Sequence, residues 1–457
     1  MQPQIALLVY SLFIFGILIV DSRRKSNISV ALWIPLIWLA MLASRPVVNL
    51  FYPSQGLAPN NEAGNPFDRN ILLVLMFIAT LILFKRKLLW TQWLRENPWF
   101  FLFFLYCGIS IVWSDFPGIS LKRWFRAIGS LMMILVVLSE ADPIVAVRTV
   151  IRRCTYVLVP LSILLNKYYR EMAVSYGEWS GTESLAGITT DKNGLGRLCL
   201  VGGLFLLWDI ITVRHNNDLY NHKLNRSVTI ILFLMTIWLL VKSNSATALG
   251  SFVIGSCILI GLGLPIIRTK VRHIGTLLVL TALIFLILDL SFNLTEVIVT
   301  ELLGRNMTFT ERTYIWADLL DMGTNPIFGV GYDSFWLGER FDFFMQKHHV
   351  SQAHNGYLEV YVEVGMIGLF LFAGFLFATF RKAKSSLLLN FDYGRVRMAL
   401  LFIFLFYNIT EPAYKATTFL FVVFLLVAID IPRNVQSQIP VDAMAKSASR
   451  NNLYNLG

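Results

Sequence analysis

The residue types best suited to chemistry lie between Asn293 and Tyr357, the one long hydrophilic stretch flanked by apolar segments. Arg312 stands in Thr308-Phe309-Thr310-Glu311-Arg312-Thr313-Tyr314-Ile315-Trp316. His354 stands in His354-Asn355-Gly356-Tyr357-Leu358, just ahead of an apolar run carrying Glu359 and Glu363. Near neutral pH an imidazole can take a proton from a hydroxyl. A guanidinium keeps its charge and presents a rigid fork of donors that matches phosphate or diphosphate. Thr310 reads as a helix cap, which puts Arg312 in a first helical turn, a poor seat for a cation unless an anion is bound nearby. Glu359 and Glu363 fall on one helix face, where either could orient the histidine or line a cavity. The competing reading of a single histidine is a purely structural one. His348 and His349 raise a metal reading, but no cysteine or second helix supplies further ligands, so neither metal nor cofactor is expected.

Two other segments offer cations. Ser114-Asp115-Phe116-Pro117-Gly118-Ile119-Ser120 leads into Lys122 and Arg126. Asp115 and Ser120 can cap, and Pro117-Gly118 can turn. Lys122 and Arg126 share a helix face and repel unless an anion lies between them; the alternative is interfacial anchoring beside Trp113 and Trp124. Thr189-Thr190-Asp191-Lys192-Asn193-Gly194-Leu195-Gly196-Arg197 opens an apolar run. A helix amino terminus with Lys192 and Arg197 beside it can hold an anion, although the two glycines would equally serve close helix packing. The spacing is not that of a nucleotide-binding P-loop. Gly329-Val330-Gly331 is too short for a dinucleotide fingerprint and reads as a turn.

The elements that must position these groups are hydrophobic helices. The chain is 56% apolar with a mean hydropathy of +0.63, well above an ordinary globular domain. Roughly 20 helical residues cross a bilayer core, and backbone in lipid must satisfy itself internally. The expected fold is all-α: a polytopic integral membrane protein with about 12–13 spans. They lie near 4–20, 28–44, 70–84, 98–113, 124–139, 150–166, 194–213, 228–242, 246–264, 274–292, 358–380, 397–411 and 417–432. Residues 1–432 form one membrane domain, and 433–457 form a polar tail. The first run, Ile5–Val20, lacks a preceding basic region and a following small-residue cleavage site, so it reads as a retained helix. Cys107, Cys154, Cys199 and Cys257 lie in or beside apolar runs and do not suggest disulfides.

Basic clusters at Arg23-Arg24-Lys25, Lys85-Arg86-Lys87, Arg148/Arg152/Arg153, Arg214/Lys223/Arg226, Arg268/Lys270/Arg272 and Arg381/Lys382/Lys384 fall on alternate loops. The positive-inside rule makes that side cytoplasmic and places 293–357 outside. A second set is not needed for topology: Arg45, Arg69, Lys122, Arg123, Arg126, Lys192, Arg197, Lys242, Arg305, Arg312, Arg340, Lys347 and Lys415. Snorkelling to headgroups can explain one such residue at a time. Gathered on one face, they point to an anionic ligand. A transporter or flippase for such a ligand would need charge at mid-membrane and broken helices there.

Taken together, these stretches resemble the O-antigen ligase superfamily, which includes exopolysaccharide polymerases. The resemblance rests on Ser114-Asp115-x-Pro117-x-x-Ser120, Asp191-Lys192-Asn193-Gly194-Leu195-Gly196, Glu311-Arg312-x3-Trp316, Pro326-x-x-Gly329-x-Gly331, His354-Asn355-x-x-Leu358 and Glu363-x-Gly365-x-x-Gly368. It implies a metal-independent glycosyltransferase of the GT-C type in the bacterial inner membrane, with its active site and long loop facing the periplasm. The implied donor is a glycan on undecaprenyl diphosphate; the implied acceptor is a hydroxyl of a glycan or of lipid A–core. His354 would activate the acceptor. By the resemblance Arg312 would hold the diphosphate; the reading of the residues themselves adds Arg126, Lys192, Arg197 and Lys122 to it, with Asn355, Glu363 and Glu311 in support. Glu311 stands where the family often has glycine. The Asp-Lys-Asn-Gly form is closer to the polymerase branch than to the lipid A–core ligases. Partners would be membrane lipids and other polysaccharide-assembly proteins, with no nucleic acid.

Overall fold

The computed structural model describes residues 2–22, 28–51, 65–86, 88–176, 183–212, 219–276 and 312–430, with isolated positions at 283–284, 287–289 and 293. Most of the expected span at 274–292, Arg305, Glu311 and the tail at 433–457 lie outside the described residues.

The described chain is mostly helical. Its principal helices are α1 (Pro3–Ser22), α2 (Trp33–Leu42), α3 (Pro66–Lys85), α4 (Pro98–Ile109), α5 (Pro117–Leu138), α6 (Pro143–Tyr168), α7 (Lys192–Thr212), α8 (Leu219–Lys242), α9 (Ala246–Gly261), α10 (Arg312–Asp321), α11 (Gly338–His348), α12 (Gly356–Leu389), α13 (Phe391–Thr410) and α14 (Phe419–Ala428). Sequence sets their starts. Pro66, Pro98, Pro117 and Pro143 open α3 to α6, where the missing N–H costs no helical bond. Asn65, Asp142, Asn355 and Asn390 accept hydrogen bonds from the first turns they precede. The one departure from an all-helical reading among the described residues is a small antiparallel pair, β1 (Val174–Tyr176) with β2 (Glu183–Leu185).

Among the described helices, α3, α7 and α12 are each long and apolar enough to cross a membrane. The helix Trp90–Glu96 and the run Pro98–Trp113 form a bent pair, with 98° between them. Several shorter apolar helices complete a composition that fits a membrane protein. One of them, α14, is buried along its whole length, so its apolar surface meets protein on all sides. Phe404 of α13 stacks on Phe424 of α14 at 4.2 Å between ring centres, and Phe375 of α12 meets Phe424 edge-on. Such pairs add roughly 0.5–1.5 kcal/mol beyond burial.

The sequence reading treats Arg148, Arg152 and Arg153 as loop charges. The structure corrects this, since all three lie in α6. Arg152 pairs with Asp21 at 2.6 Å and lies 3.5 Å from Asp209. Arg153 pairs with Asp21 at 2.8 Å and Arg148 with Asp209 at 2.9 Å. Opposite charges packed together allow α1, α6 and α7 to keep ions inside the bundle.

The feature that builds the site is a break in α12. Gly365 has φ 66° and ψ −169°, a conformation open essentially only to glycine. The break frees backbone groups, and the segment Pro326–Gly331 satisfies them. Val330 N donates to Val362 O at 3.0 Å, Gly331 N to Glu363 O at 2.8 Å, and Met366 N to Pro326 O at 2.9 Å. Gly329 and Gly331 also have positive φ. A Cβ at Gly329 would run into the Glu363 carbonyl, at Gly331 into Ser114, and at Gly365 into the Ile327 carbonyl. The Pro326-x-x-Gly329-x-Gly331 and Gly365 spacings therefore describe one backbone-to-backbone dock. Ser114 and its neighbours complete it: Asp115 N donates to Val330 O at 3.2 Å, and Tyr332 N to Ser110 Oγ at 3.0 Å.

Gly365→Ala is expected to destabilise the protein by at least about 1–3 kcal/mol, the cost of a side chain at such angles, with the backbone clash added. Gly16→Ala, inside α1 where nothing lies within 4 Å, is expected to be neutral to slightly stabilising, because alanine is the better helix former. Thermal unfolding of the detergent-extracted protein compares the two.

Candidate functional site

Four elements meet at Glu411, which follows α13 directly and is only 3% exposed. Its Oε1 accepts from Arg312 Nη2 at 2.8 Å and from Asn193 Nδ2 at 3.1 Å. Both carboxylate oxygens lie 3.2 Å from His354 Nδ1. Arg312 also donates through Nη1 to Thr410 O at 2.5 Å. These contacts use two of its five N–H donors. Asn193 is aimed by its neighbours. Asp191 Oδ1 caps α7 by accepting from Asn193 N and Gly194 N, and Ser245 Oγ donates to Asn193 Oδ1 at 2.9 Å, which turns the amide nitrogen toward Glu411. His354 has φ 49°, the left-handed region that histidine enters more readily than most residues. Asn355 Oδ1 then caps α12 through Tyr357 N and Leu358 N.

A carboxylate only accepts hydrogen bonds, so the Nδ1–H of His354 donates to Glu411 and the Nε2 lone pair is left to receive a proton. Burial alone would raise the Glu411 carboxyl. Interaction with His354, with the charges of Arg312 and Arg197, outweighs burial and holds it below the ordinary carboxylate range.

A second ionic cluster backs the first. Lys415 Nζ meets Asp333 Oδ1 at 2.6 Å, Glu363 Oε1 at 2.9 Å and Glu359 Oε2 at 3.6 Å. Burial pulls the Lys415 ammonium down, but Asp333, Glu363 and Glu359 drive it well above its usual range. Asp333, on the segment that docks against α12, also takes Arg123 at 3.2 Å. Burial would raise its carboxyl, yet Lys415 and Arg123 hold it below the ordinary value. Glu359 stands within electrostatic reach of both Lys415 and His354, which joins the two clusters.

The sequence-derived residues separate accordingly. His354, Arg312 and Asn355 come together at Glu411. Arg197 stands within electrostatic reach of Glu411 and lines a cavity of about 130 Å³ with Ser44, Thr190, Gly194, Thr417 and Thr418. Lys192 opens the same helix, half-buried. Arg126 and Lys122 are exposed on α5. Arg126 stands within electrostatic reach of Asp333 and Asp68, which relates it to the second cluster. Glu363 does not orient His354: it accepts from Tyr414 Oη and from Asp333 N, and pairs with Lys415. Glu359 accepts from Ala353 N, next to the histidine. Glu311 lies outside the described residues.

The anion expected beside Arg312 is thus supplied by the protein itself. Glu411 was missed because it falls where an apolar run ends, the position of an ordinary span boundary. The available signal was a lone carboxylate, followed by Pro412, on the side of the chain already rich in unexplained cations. Asp333 gave no comparable signal.

Fold and site define a helical protein with apolar helices of membrane type and a Glu–His–Arg cluster built on a buried carboxylate. Residues 230–373 match the family model described as O-Antigen ligase, a segment that contains Arg312, His354 and the α12 break but neither Asn193 nor Glu411. The exopolysaccharide production protein ExoQ of Rhizobium meliloti is 26% identical over 295 residues, covering 62% of this chain and 64% of its own length, just under two thirds. Over these residues the chain is similar to the O-antigen ligase family and to this exopolysaccharide production protein.

The sign of the Glu411 shift fixes a pH dependence. Its folded value lies below the unfolded one of about 4.3, so its stabilisation is complete above that pH and is lost as pH falls through the folded value. Glu411→Gln is expected to be less stable than wild type at neutral pH, with the gap closing as pH falls from about 4.3 through the lower folded value. Melting curves across that range test this; a gap independent of pH would contradict it.

Proposed function

We propose that the chain is a multi-pass inner-membrane glycosyltransferase that elongates a polysaccharide on the periplasmic face. Its donor is a glycan on undecaprenyl diphosphate and its acceptor a sugar hydroxyl. The observation that carries this reading is the buried Glu411 carboxylate, shared by an imidazole and a guanidinium. Glu411 holds His354 with Nε2 free to act as base, and it holds Arg312 until a phosphate oxygen competes for the guanidinium. The acceptor oxygen attacks the anomeric carbon as its proton passes to Nε2. The bond from that carbon to the diphosphate oxygen breaks, and its electrons leave with the diphosphate. Arg312, with Arg197 and Lys192 at the start of α7, meets the charge that grows there. The energy comes from the departing diphosphate, so neither a nucleotide nor a metal enters the step.

The relative's role in exopolysaccharide production favours polymerisation over ligation to lipid A–core. The GT-C architecture, the about 12–13 spans and the single membrane domain over 1–432 belong to the same proposal. Lys122 and Arg126, exposed beside the second cluster, suit the approach of an anionic lipid-linked donor from the side.

The test uses membranes, labelled undecaprenyl-diphosphate repeat unit and EDTA. Wild type is expected to build longer lipid-linked chains. His354→Ala is expected to lose about 10²–10⁴-fold in rate, and Arg312→Lys, which cannot offer a bidentate fork, to lose much of the activity while remaining folded. Label moving only when lipid A–core is supplied would make the protein a ligase. A near-normal rate in His354→Ala would remove the base from the mechanism.

A further inference from the structure

Trp316 is the one member of the Arg312-x3-Trp316 spacing that the chemistry above leaves without a task. It lies one helical turn after Arg312 in α10, so the two side chains share a face, and Trp316 packs against the buried Ile315 and Leu319 beside it. Its indole Nε1 donates to Ala353 O at 2.8 Å. The N–H of the same residue donates to Glu359 Oε1 at 2.9 Å. Ala353 is fully buried, and the next residue is His354, held in the left-handed region at φ 49°. The backbone that sets the imidazole is thus gripped on one side by the helix that carries Arg312 and on the other by α12.

We propose that Trp316 and Glu359 are positioning residues that clamp the Ala353 backbone and so fix the His354 imidazole in register with Arg312. The inference rests on the reading of His354 as the base. Neither residue need touch substrate. If the indole N–H is lost, the histidine segment can drift from α10. The distance between proton acceptor and guanidinium then varies, although each group remains present and charged. Misplacement of about 1 Å at a reacting group can cost on the order of 100-fold in rate, whereas binding of the donor through Arg312 should change little.

The experiment is a polymerisation assay in membranes with undecaprenyl-diphosphate-linked repeat unit, normalised to folded protein by fluorescence-detected size exclusion. It compares wild type, Trp316→Phe, Trp316→His, Glu359→Gln, Glu359→Leu and His354→Ala. Trp316→Phe is expected to lower kcat by about 10- to 100-fold with little change in donor KM. Trp316→His keeps a ring N–H and is expected to recover a large part of the loss. Glu359→Gln keeps a carbonyl acceptor for Ala353 N and is expected to stay closer to wild type than Glu359→Leu. A Trp316→Phe variant at the wild-type rate beside an inactive His354→Ala overturns the clamp alone. A raised KM with unchanged kcat in Trp316→Phe also overturns it, because that assigns the indole to donor binding. An active His354→Ala overturns the base reading and the clamp with it.

Discussion

A buried carboxylate at the edge of an apolar bundle must be paired, because an isolated charge taken out of water is too costly to keep. Glu411 meets that requirement with partners from three separate parts of the chain: Asn193 at the start of α7, Arg312 at the start of α10 and His354 ahead of α12. The same requirement that stabilises the fold therefore assembles the chemistry. No pair among Asn193, Arg312 and His354 is close in sequence. The carboxylate gives the histidine its tautomer and occupies part of the guanidinium. In the proposed reaction the arriving diphosphate competes with Glu411 for Arg312, which leaves the carboxylate to His354.

This arrangement needs a rigid floor. The break at Gly365 leaves α12 backbone groups unsatisfied, and such groups are tolerated at membrane depth only when other protein backbone or polar groups reach them. The Pro326–Gly331 segment does so. It also carries Asp333 into the Lys415, Glu363 and Arg123 cluster. Glycines at 329, 331 and 365 are there because backbones touch, and the charged cluster next to them locks the segment laterally. Loss of either feature would free the chain between α10 and α12, on which Arg312 and His354 depend.

Much of this was legible in the sequence, for reasons that can be named. Apolar runs of about 20 residues reflect the bilayer and the interior alike, so helices appear close to where α3, α7 and α12 are found. Proline and asparagine at helix starts act locally and read locally. The helix start at Lys192 and the prominence of Arg312 and His354 were readable for the same reason. Long-range partners were not. Glu411 looked like the end of a span because its meaning lies in residues 57 and 99 positions away. Gly329 and Gly331 looked like a turn because the helix break they fill lies beyond the next polar segment. Glu363 shares a helix face with Glu359, and nothing in that periodicity says that it turns to Lys415 and Tyr414 instead of the histidine. Charges on α6 read as loop residues because their acidic partners, Asp21 and Asp209, lie on other helices.

The central claim is that Glu411 sustains the base while holding Arg312 in place of the donor. Binding and turnover should then respond to its charge in opposite directions. The most direct measurement is the affinity of undecaprenyl diphosphate for purified wild type and Glu411→Gln, read beside the transfer rate of each. The account predicts equal or tighter binding to Glu411→Gln with a lower rate, because the competitor for Arg312 is weakened and His354 loses its anionic partner. Weaker binding with an unchanged rate would contradict it, and would make Glu411 a support for the donor site with no part in activating the histidine.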